Sequence, residues 1–239
     1  LCELNRKKIK VIFCDEARNP YGELIPYYGS HDSSEKIRQQ INWDKTATYN
    51  VWTRIVKEKI KKQRDLLLER GHQEPAGMLD TYIDEVCMGD VSNREGHAAK
   101  VYFNAIFGQC FSRRADSPIN SALNYGYSIL LSACNREIVA SGYLTQLGIF
   151  HDNVYNPFNL GSDLMEPFRP IIDRRVLDIM PSEMNSEVKR EVASVMNVVV
   201  RIAEKENYLL NAIRIYVKSV FDAINEKNDS LIEFYDYEA

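Results

Sequence analysis

His151, Asp163 and Glu166 place an imidazole and two carboxylates within sixteen residues of the sequence. Asp163 and Glu166 are three positions apart, a spacing that places both on one face of a helix. Because like charges on one face repel, stability alone does not explain the pair. Carboxylates with one imidazole suit a hard divalent cation that keeps open water positions, so we expect Mg²⁺ or Mn²⁺. Zn²⁺ is disfavoured, since no thiolate is placed to help.

Glu95 is a third candidate carboxylate. It follows Asn93 at the start of a predicted helix, where the helix dipole favours negative charge. His151 precedes a segment that Asn, Pro and Gly mark as a loop. Ser162 is predicted to cap the helix that holds Asp163 and Glu166. A metal bound by this set would activate a nucleophilic oxygen and stabilise charge on a phosphodiester.

Each of these residues also has an ordinary structural explanation. His151 alone is most simply a loop histidine, and Asp163 can occupy the first helical position after Ser162. Glu166 lies three residues before Arg169, which lies four before Asp173, so a salt-bridge ladder with Asp163 is an alternative. Taken together, however, one histidine and several carboxylates indicate a metal site more strongly than any one of these residues does alone.

Charge is unevenly distributed along the chain. The net charge is −4, but residues 36–70 contain ten basic and four acidic residues and residues 222–239 contain one basic and six acidic residues. A basic helix can bind phosphates whatever the global charge. By itself the basic window is more simply a solvated helix face. Next to candidate metal ligands, it points to nucleic acid as substrate.

The length and amino-acid composition are those of an ordinary globular protein. The chain has 239 residues, 45% hydrophobic and 27% charged, and no apolar run long enough to span a bilayer. No secretory signal is recognisable, and five widely spaced cysteines indicate reduced thiols in the cytoplasm. The sequence lacks a phosphate-binding P-loop, a GxGxxG fingerprint and a GxSxG nucleophile elbow.

The predicted fold class is mainly α, with two parts. Residues 1–30 are expected to be the remnant of an N-terminal β (α/β) domain, with strands at 11–14 and 23–28 around a turn at 19–22. The strands need partners, which we expect to precede Leu1. Residues 31–239 are expected to form an α-helical catalytic domain that binds metal and DNA. Its predicted helices cover 37–69, 78–87, the stretch from 93, 120–143, the stretch after Ser162, 186–205 and 208–225.

Several motifs resemble the CRISPR-associated integrase, the universal enzyme of spacer acquisition, and most closely its type II form. The resemblance extends over nearly the whole chain, and the stretch from Asn156 to Pro170 is its most specific part. The motifs are Val11-Ile-Phe-Cys-Asp-Glu16, Pro26-Tyr-Tyr-Gly-Ser-His-Asp-Ser-Ser34, Glu95 with Ala98-Ala99 and Tyr102-Phe103, Asn120 through Tyr127, Gly148-Ile-Phe-His151 and Asn156-Pro-Phe-Asn-Leu-Gly-Ser-Asp-Leu-Met-Glu-Pro-Phe-Arg-Pro170.

The resemblance implies a fold, a site and a reaction. An N-terminal β domain would precede a helical domain that holds the active site. Glu95, His151 and Glu166 match the family's catalytic metal ligands, and Asp163 matches an acidic position that lines the metal site. The family joins the 3′-OH ends of a short DNA duplex into the leader-repeat boundary of a CRISPR array. Since the DNA hydroxyl is the nucleophile, no protein nucleophile is needed.

Partners also follow from the resemblance. The family works in the cytoplasm of prokaryotes as two homodimers bridged by a small ferredoxin-like partner dimer, a heterohexamer that binds double-stranded DNA. Type II systems add a ring-shaped DNA-end-binding protein and an RNA-guided effector nuclease. For phosphate neutralisation in this chain, our candidates are Arg169, Arg113, Arg114 and Lys100.

Two other functions stay open on the sequence alone. A structure-selective metal nuclease would use the same residues to cut DNA without joining it. A non-catalytic helical DNA-binding scaffold would use Asp163, Glu166, Arg169 and Asp173 only as a salt-bridge ladder. Product analysis separates the first alternative from an integrase, and metal dependence separates the second.

Overall fold

The computed structural model describes residues 1–7, 9, 11–14, 20–24 and 33–237. The predicted mainly helical fold is confirmed. The helices are α1 (Cys2–Arg6), α2 (Ser33–Ile41), α3 (Lys45–Glu69), α4 (Gln73–Glu85), α5 (Arg94–Phe107), α6 (Pro118–Ala140), α7 (Asn159–Leu164), α8 (Arg169–Ile179), α9 (Ser186–Ala193) and α10 (Leu209–Asn225). The strands are β1 (Ile12–Cys14), β2 (Pro20–Glu23), β3 (Val199–Ile202) and β4 (Lys205–Tyr208). None of the described helices is long and apolar enough to cross a membrane.

The N-terminal segment forms a two-stranded antiparallel sheet. Ile12 lies opposite Glu23 and Phe13 opposite Gly22, with a shift in register before Cys14. Residues 20–22, which we predicted as part of a turn at 19–22, belong to strand β2 instead, because this segment pairs with β1. The predicted strand at 23–28 lies outside the described residues beyond position 24, as do the motif residues 15–16 and 26–32.

The predicted long helix at 37–69 is two helices. The helix is interrupted at residues 42–44. The Asp44 carboxylate accepts a hydrogen bond from the Ala47 backbone N–H at 2.9 Å and so caps the start of α3. The next helix begins at Gln73, five residues before the predicted start. Pro75 lies in the first turn of α4, where a missing N–H costs no helical hydrogen bond.

α3 is the central helix of the domain. It packs against α4, α5, α8 and α10, and Trp52, Ile55 and Ile60 on it are fully buried. α6 packs against α7, α8, α9 and α10. Gly126 on α6 lets α8 approach closely, since an added Cβ would lie 2.3 Å from the Ile172 side chain. The apolar residues of α6 that face the core are Leu123, Tyr127, Leu130, Cys134 and Ile138, which are buried, whereas Leu131 is half-buried.

Asp163 and Glu166 do not share a helix, contrary to the prediction. Asp163 belongs to α7, while Glu166 begins the 3-10 turn Glu166–Phe168 that leads into α8. Ser162 is not a cap, since it lies inside α7 and its hydroxyl donates to the Phe158 carbonyl at 2.8 Å. A sequence spacing of three therefore did not give a shared face, because α7 ends between the two acids.

The predicted helix at 186–205 is also wrong in its second half. α9 ends at Ala193, and β3 pairs with β4 as an antiparallel hairpin with Val199 opposite Tyr208. The β-branched residues Val199 and Val200 favour a strand. Ala203 and Glu204 form the turn with positive φ angles of 49° and 62°. The helix predicted from Tyr208 begins at Leu209.

A carboxylate is buried between α8 and its neighbours. Asp173 accepts hydrogen bonds from the hydroxyls of Tyr102 on α5, at 3.1 Å, and Tyr127 on α6. Burial raises the pKa of Asp173 to about 6, although both hydrogen bonds act to lower it. The group thus links three helices, and it takes up a proton at a higher pH than an exposed aspartate does.

Stability near neutral pH should therefore depend on Asp173. A carboxyl whose pKa is higher in the folded chain stabilises the fold at low pH, and this contribution is lost as pH rises through about 6. Between pH 7 and pH 5 we expect the free energy of unfolding of the wild type to gain about 1 kcal/mol over that of Asp173→Asn. Urea unfolding of both proteins at each pH measures the difference. Parallel pH profiles would contradict the assignment.

Candidate active site

Glu95 is held in place by residues that precede its helix. The Asp90 carboxylate accepts hydrogen bonds from the backbone N–H groups of Arg94 at 2.8 Å and Glu95 at 3.0 Å. Asn93 caps α5 from a left-handed conformation, with φ of 52°, and accepts from the Gly96 N–H at 3.3 Å. These contacts satisfy the free donors of the first turn and fix the direction in which Glu95 leaves the helix.

His151 is held by Asp163. The imidazole Nδ1 lies 2.5 Å from Asp163 Oδ1, and the same oxygen accepts from the His151 backbone N–H at 3.1 Å. Asp163 Oδ2 accepts from the backbone N–H groups of Ile149 at 2.6 Å and Phe150 at 3.0 Å. Both carboxylate oxygens therefore bind the 149–151 segment, and Asp163 is fully buried.

This arrangement decides which imidazole nitrogen is available. The hydrogen bond to Asp163 raises the pKa of His151, against the opposing effect of burial. With Nδ1–H donating to the carboxylate, Nε2 of the neutral ring presents its lone pair. Phe150 stacks on the buried Trp52, with ring centroids 4.6 Å apart, and so fixes the same loop on α3.

Glu95 and Glu166 converge on one cation. The Lys59 ammonium on α3 lies 2.5 Å from Glu95 Oε1 and also donates to Glu166 Oε2. Burial lowers the pKa of Lys59, but the charges of Glu166 and Glu95 outweigh it and raise the pKa above its ordinary value. Two acids from distant parts of the sequence are thus brought together around a buried positive charge.

Arg169 holds the other side of Glu166. Its Nε lies 2.8 Å from Glu166 Oε1, and its guanidinium lies over the Tyr127 ring at 4.6 Å from the centroid. Burial raises the pKa of Glu166, but Arg169 and Lys59 outweigh burial and lower it. Glu166 is therefore ionised although it is almost fully buried.

The structure brings Glu95 and Glu166 together and leaves Asp163 bonded to the His151 loop. Within the described ranges, no cluster of three His, Cys, Asp or Glu side chains is arranged to hold a metal ion. The negative charges of Glu166 and Glu95 nevertheless act on His151 and help to raise its pKa. The salt-bridge ladder is reduced to the Glu166–Arg169 pair, since Asp173 binds two tyrosines instead.

The remaining candidate phosphate contacts differ in availability. Arg113 is bonded to the side-chain oxygens of Asn120 and Asn124 and lies over the Tyr127 ring. Arg114 and Lys100 are exposed. His97 contacts Arg94 at 3.3 Å on the exposed side of α5.

Sequence reasoning missed the roles of Lys59 and Asp90. Lys59 was counted only in the basic window of residues 36–70. Its position was a signal, since it falls three residues after Val56 and four after Ile55, on the buried face of α3. Much of that basic window is paired within the chain: Arg54 with Asp229, Arg64 with Asp80, and Arg70 with Asp178. The window is therefore not a freely solvated basic face.

Comparison with known proteins decides the family. The family model described as "CRISPR associated protein Cas1" matches residues 1–204. The CRISPR-associated endonuclease Cas1 of Neisseria meningitidis serogroup C is 33% identical over 223 residues, covering 91% of this chain and 73% of that protein. The chain belongs to the Cas1 family. The predicted family resemblance is thereby confirmed.

Other Cas1 proteins and solved structures agree. The Pyrobaculum aerophilum Cas1 endonuclease is 33% identical over 216 residues, which is 81% of this chain and 70% of that protein. A Cas1 structure from Thermotoga maritima aligns with 91% of this chain and with 80% of its own length, with a TM-score of 0.69 and 19% identity. A casposase bound to an integration product aligns with 95% of this chain and with 78% of its own length, with a TM-score of 0.67 and 20% identity. At these identities the structures establish a shared fold.

Proposed function

We propose that this chain is a metal-dependent DNA integrase that inserts new spacers into a CRISPR array. The 3′-OH of a short DNA duplex attacks the leader-repeat phosphodiester, so one phosphorus–oxygen bond forms as another breaks. The convergence of Glu95 and Glu166 on one buried cation, beside a histidine held by Asp163, carries the proposal. Membership of the Cas1 family supports it, as does the shared fold with a casposase that is bound to an integration product.

The donor types of these residues suit Mg²⁺ or Mn²⁺, although the side chains are drawn toward Lys59 and Asp163 in this structure. Glu95 and Glu166 offer carboxylate oxygens around a point that already attracts a positive charge, and His151 offers Nε2. These are the donors that such ions accept. When bound, the metal would lower the pKa of the attacking hydroxyl and stabilise negative charge at phosphorus. Glu95, His151 and Glu166 are our proposed ligands.

The chain's own residues prepare the site. Asp163 retains the proton on His151 Nδ1 and so keeps Nε2 free to bind. We assign this positioning role to Asp163 in preference to direct ligation, because its oxygens already accept four hydrogen bonds. Arg169 is partly exposed and can neutralise phosphate charge, together with the exposed Arg114 and Lys100. Arg113 is assigned a lesser part, since two asparagines already hold its guanidinium.

The proposed assembly contains double-stranded DNA and further proteins. Two structural relatives are Cas6-RT-Cas1–Cas2 complexes, one of them partial, and they match this chain with TM-scores of 0.74 and 0.75 at 18% identity. We propose a homodimer that binds a small ferredoxin-like partner dimer as a heterohexamer. In a type II system a ring-shaped DNA-end-binding protein and an RNA-guided effector nuclease would join. Its chromosomal target places the reaction in the prokaryotic cytoplasm.

The test is joining of a 3′-OH DNA duplex into a supercoiled plasmid that carries a leader and a repeat. The chain and its small partner protein are incubated with Mn²⁺, with Mg²⁺ or with EDTA. We expect covalently joined product with either metal and none with EDTA. Gel analysis of labelled duplex separates joined, cut and merely bound DNA.

Two outcomes would replace the proposal. Metal-dependent cutting without joining would make the chain a structure-selective nuclease, for which the names of its endonuclease relatives are the supporting observation. Binding that is indifferent to metal and gives no product would make it a DNA-binding scaffold. The same gel distinguishes both from an integrase.

A further inference from the structure

The acidic C-terminal segment follows a fixed course over the helical domain. The Glu233 backbone N–H donates to Ser219 Oγ at 3.0 Å, and Asp236 exchanges two backbone hydrogen bonds with Arg201 at 2.9 and 2.7 Å. Residues 232–237 are thus fastened at both ends. They lie beyond residue 204, where the match to the family model ends.

Tyr235, between these anchors, contacts the turn that carries Glu166. Its side chain is 2% exposed, and its ring stacks on Phe168 with centroids 5.0 Å apart and planes 10° apart. Its hydroxyl donates to the Pro167 carbonyl at 3.2 Å. Tyr235 therefore contacts both residues that directly follow Glu166.

Lys62 connects Tyr235 to the central helix. Its ammonium donates to the Tyr235 carbonyl and lies 4.0 Å from the centroid of the ring. Lys62 is three residues after Lys59, so both extend from one side of α3. α3 thus contacts the turn directly, through Lys59 and Glu166, and again through Lys62 and Tyr235.

The turn needs such support. A 3-10 turn has weaker hydrogen-bond geometry than an α-helix, and Pro167 contributes no N–H. Tertiary contacts must therefore decide where the Glu166 carboxylate points. Resting on the proposed function, we propose that Tyr235 is a positioning residue: by clamping Pro167 and Phe168, it sets the direction of the Glu166 carboxylate at the reacting centre.

The test compares Tyr235→Phe and Tyr235→Leu with the wild-type chain. Tyr235→Phe removes only the hydroxyl bonded to Pro167, whereas Tyr235→Leu also removes the ring stacked on Phe168. Tyr208→Phe is the matched control, because Tyr208 is 59% exposed. Four quantities are measured: the single-turnover joining rate at saturating protein, the Kd for DNA, the Mn²⁺ affinity by electron paramagnetic resonance, and the Tm.

We expect the joining rate to fall about 2- to 10-fold in Tyr235→Phe, the range for one neutral hydrogen bond. In Tyr235→Leu it should fall by up to about 10²-fold, because a misplacement of about 1 Å can cost that much. The Mn²⁺ affinity should fall in the same order, and excess Mn²⁺ should restore part of the rate. The DNA Kd and the behaviour of Tyr208→Phe should match the wild type.

Tyr235→Phe distinguishes a loss of positioning from simple unfolding, since this variant should stay folded at the assay temperature. Wild-type rate and Mn²⁺ affinity in both variants would overturn the positioning role, as would a loss that merely tracks the unfolded fraction. Failure of the proposed function gives a different result, namely a wild-type chain that joins no DNA. Mn²⁺ affinity would still decide the role of Tyr235 in that case, and unchanged affinity in the variants would overturn it.

Discussion

Replacing Glu166 by Gln is expected to lower the rate of DNA joining by about 10²- to 10³-fold. Gln keeps the size of the side chain but removes the charge that faces Lys59 and Arg169. A neutral amide is a poor ligand for a hard divalent cation. Joining of labelled duplex into supercoiled plasmid under single-turnover conditions measures the effect.

Glu191→Gln is the matched control for this change. Glu191 is an exposed acid that lies 3.6 Å from Arg175 on the protein surface, so its loss should leave joining unchanged. DNA binding by Glu166→Gln should stay within a few-fold of wild type, because affinity for DNA comes from many phosphate contacts. Equal loss of binding and joining would contradict the separation between ligand residues and DNA contacts.

The second large effect is expected from Asp163→Asn. An amide provides one acceptor oxygen in place of the two that now bind the 149–151 segment and His151 Nδ1. Changes of this kind in residues that orient a metal ligand cost about 10- to 100-fold in metal affinity or activity. The joining rate as a function of Mn²⁺ concentration measures the loss.

The same titration separates a positioning role from direct ligation. If Asp163 orients His151, excess Mn²⁺ should restore much of the rate in Asp163→Asn, whereas Glu166→Gln stays inactive. If Asp163 is itself a ligand, the two variants should be equally inactive at every Mn²⁺ concentration. Asp152→Asn, an exposed change in the same loop, is the control and should behave as wild type.

Much of the fold was predictable because local patterns determine it. The apolar period on α3 and α6 predicted their buried faces, and Asn93 marked the start of α5. The errors arose where tertiary contacts override local pattern. Strand β3 lies in the segment 186–205 that we predicted as helix although Val199 and Val200 favour a strand, and its pairing with β4 and with the C-terminal segment stabilises the strand.

The candidate site was only partly predictable. Residue types and the motif spacing indicated Glu95, His151, Asp163 and Glu166, but not their division of labour. The end of α7 between Asp163 and Glu166 turns one acid toward the His151 loop and the other toward Lys59. Lys59 and Tyr235 come from distant sequence positions, so their contacts with the Glu166 turn depend on the folded packing of α3 and the C-terminal segment.

The most direct test of the central claim is a crystal structure of the chain with Mn²⁺, with diffraction recorded at the manganese absorption edge. We expect one anomalous peak in ligand contact with Glu95, Glu166 and His151 Nε2, and the Lys59 ammonium displaced from at least one of the two carboxylates. Asp163 should keep its hydrogen bond to His151 Nδ1. An anomalous peak elsewhere, with Lys59 still bridging Glu95 and Glu166, would contradict the account, as would the lack of any peak at Mn²⁺ concentrations that support joining.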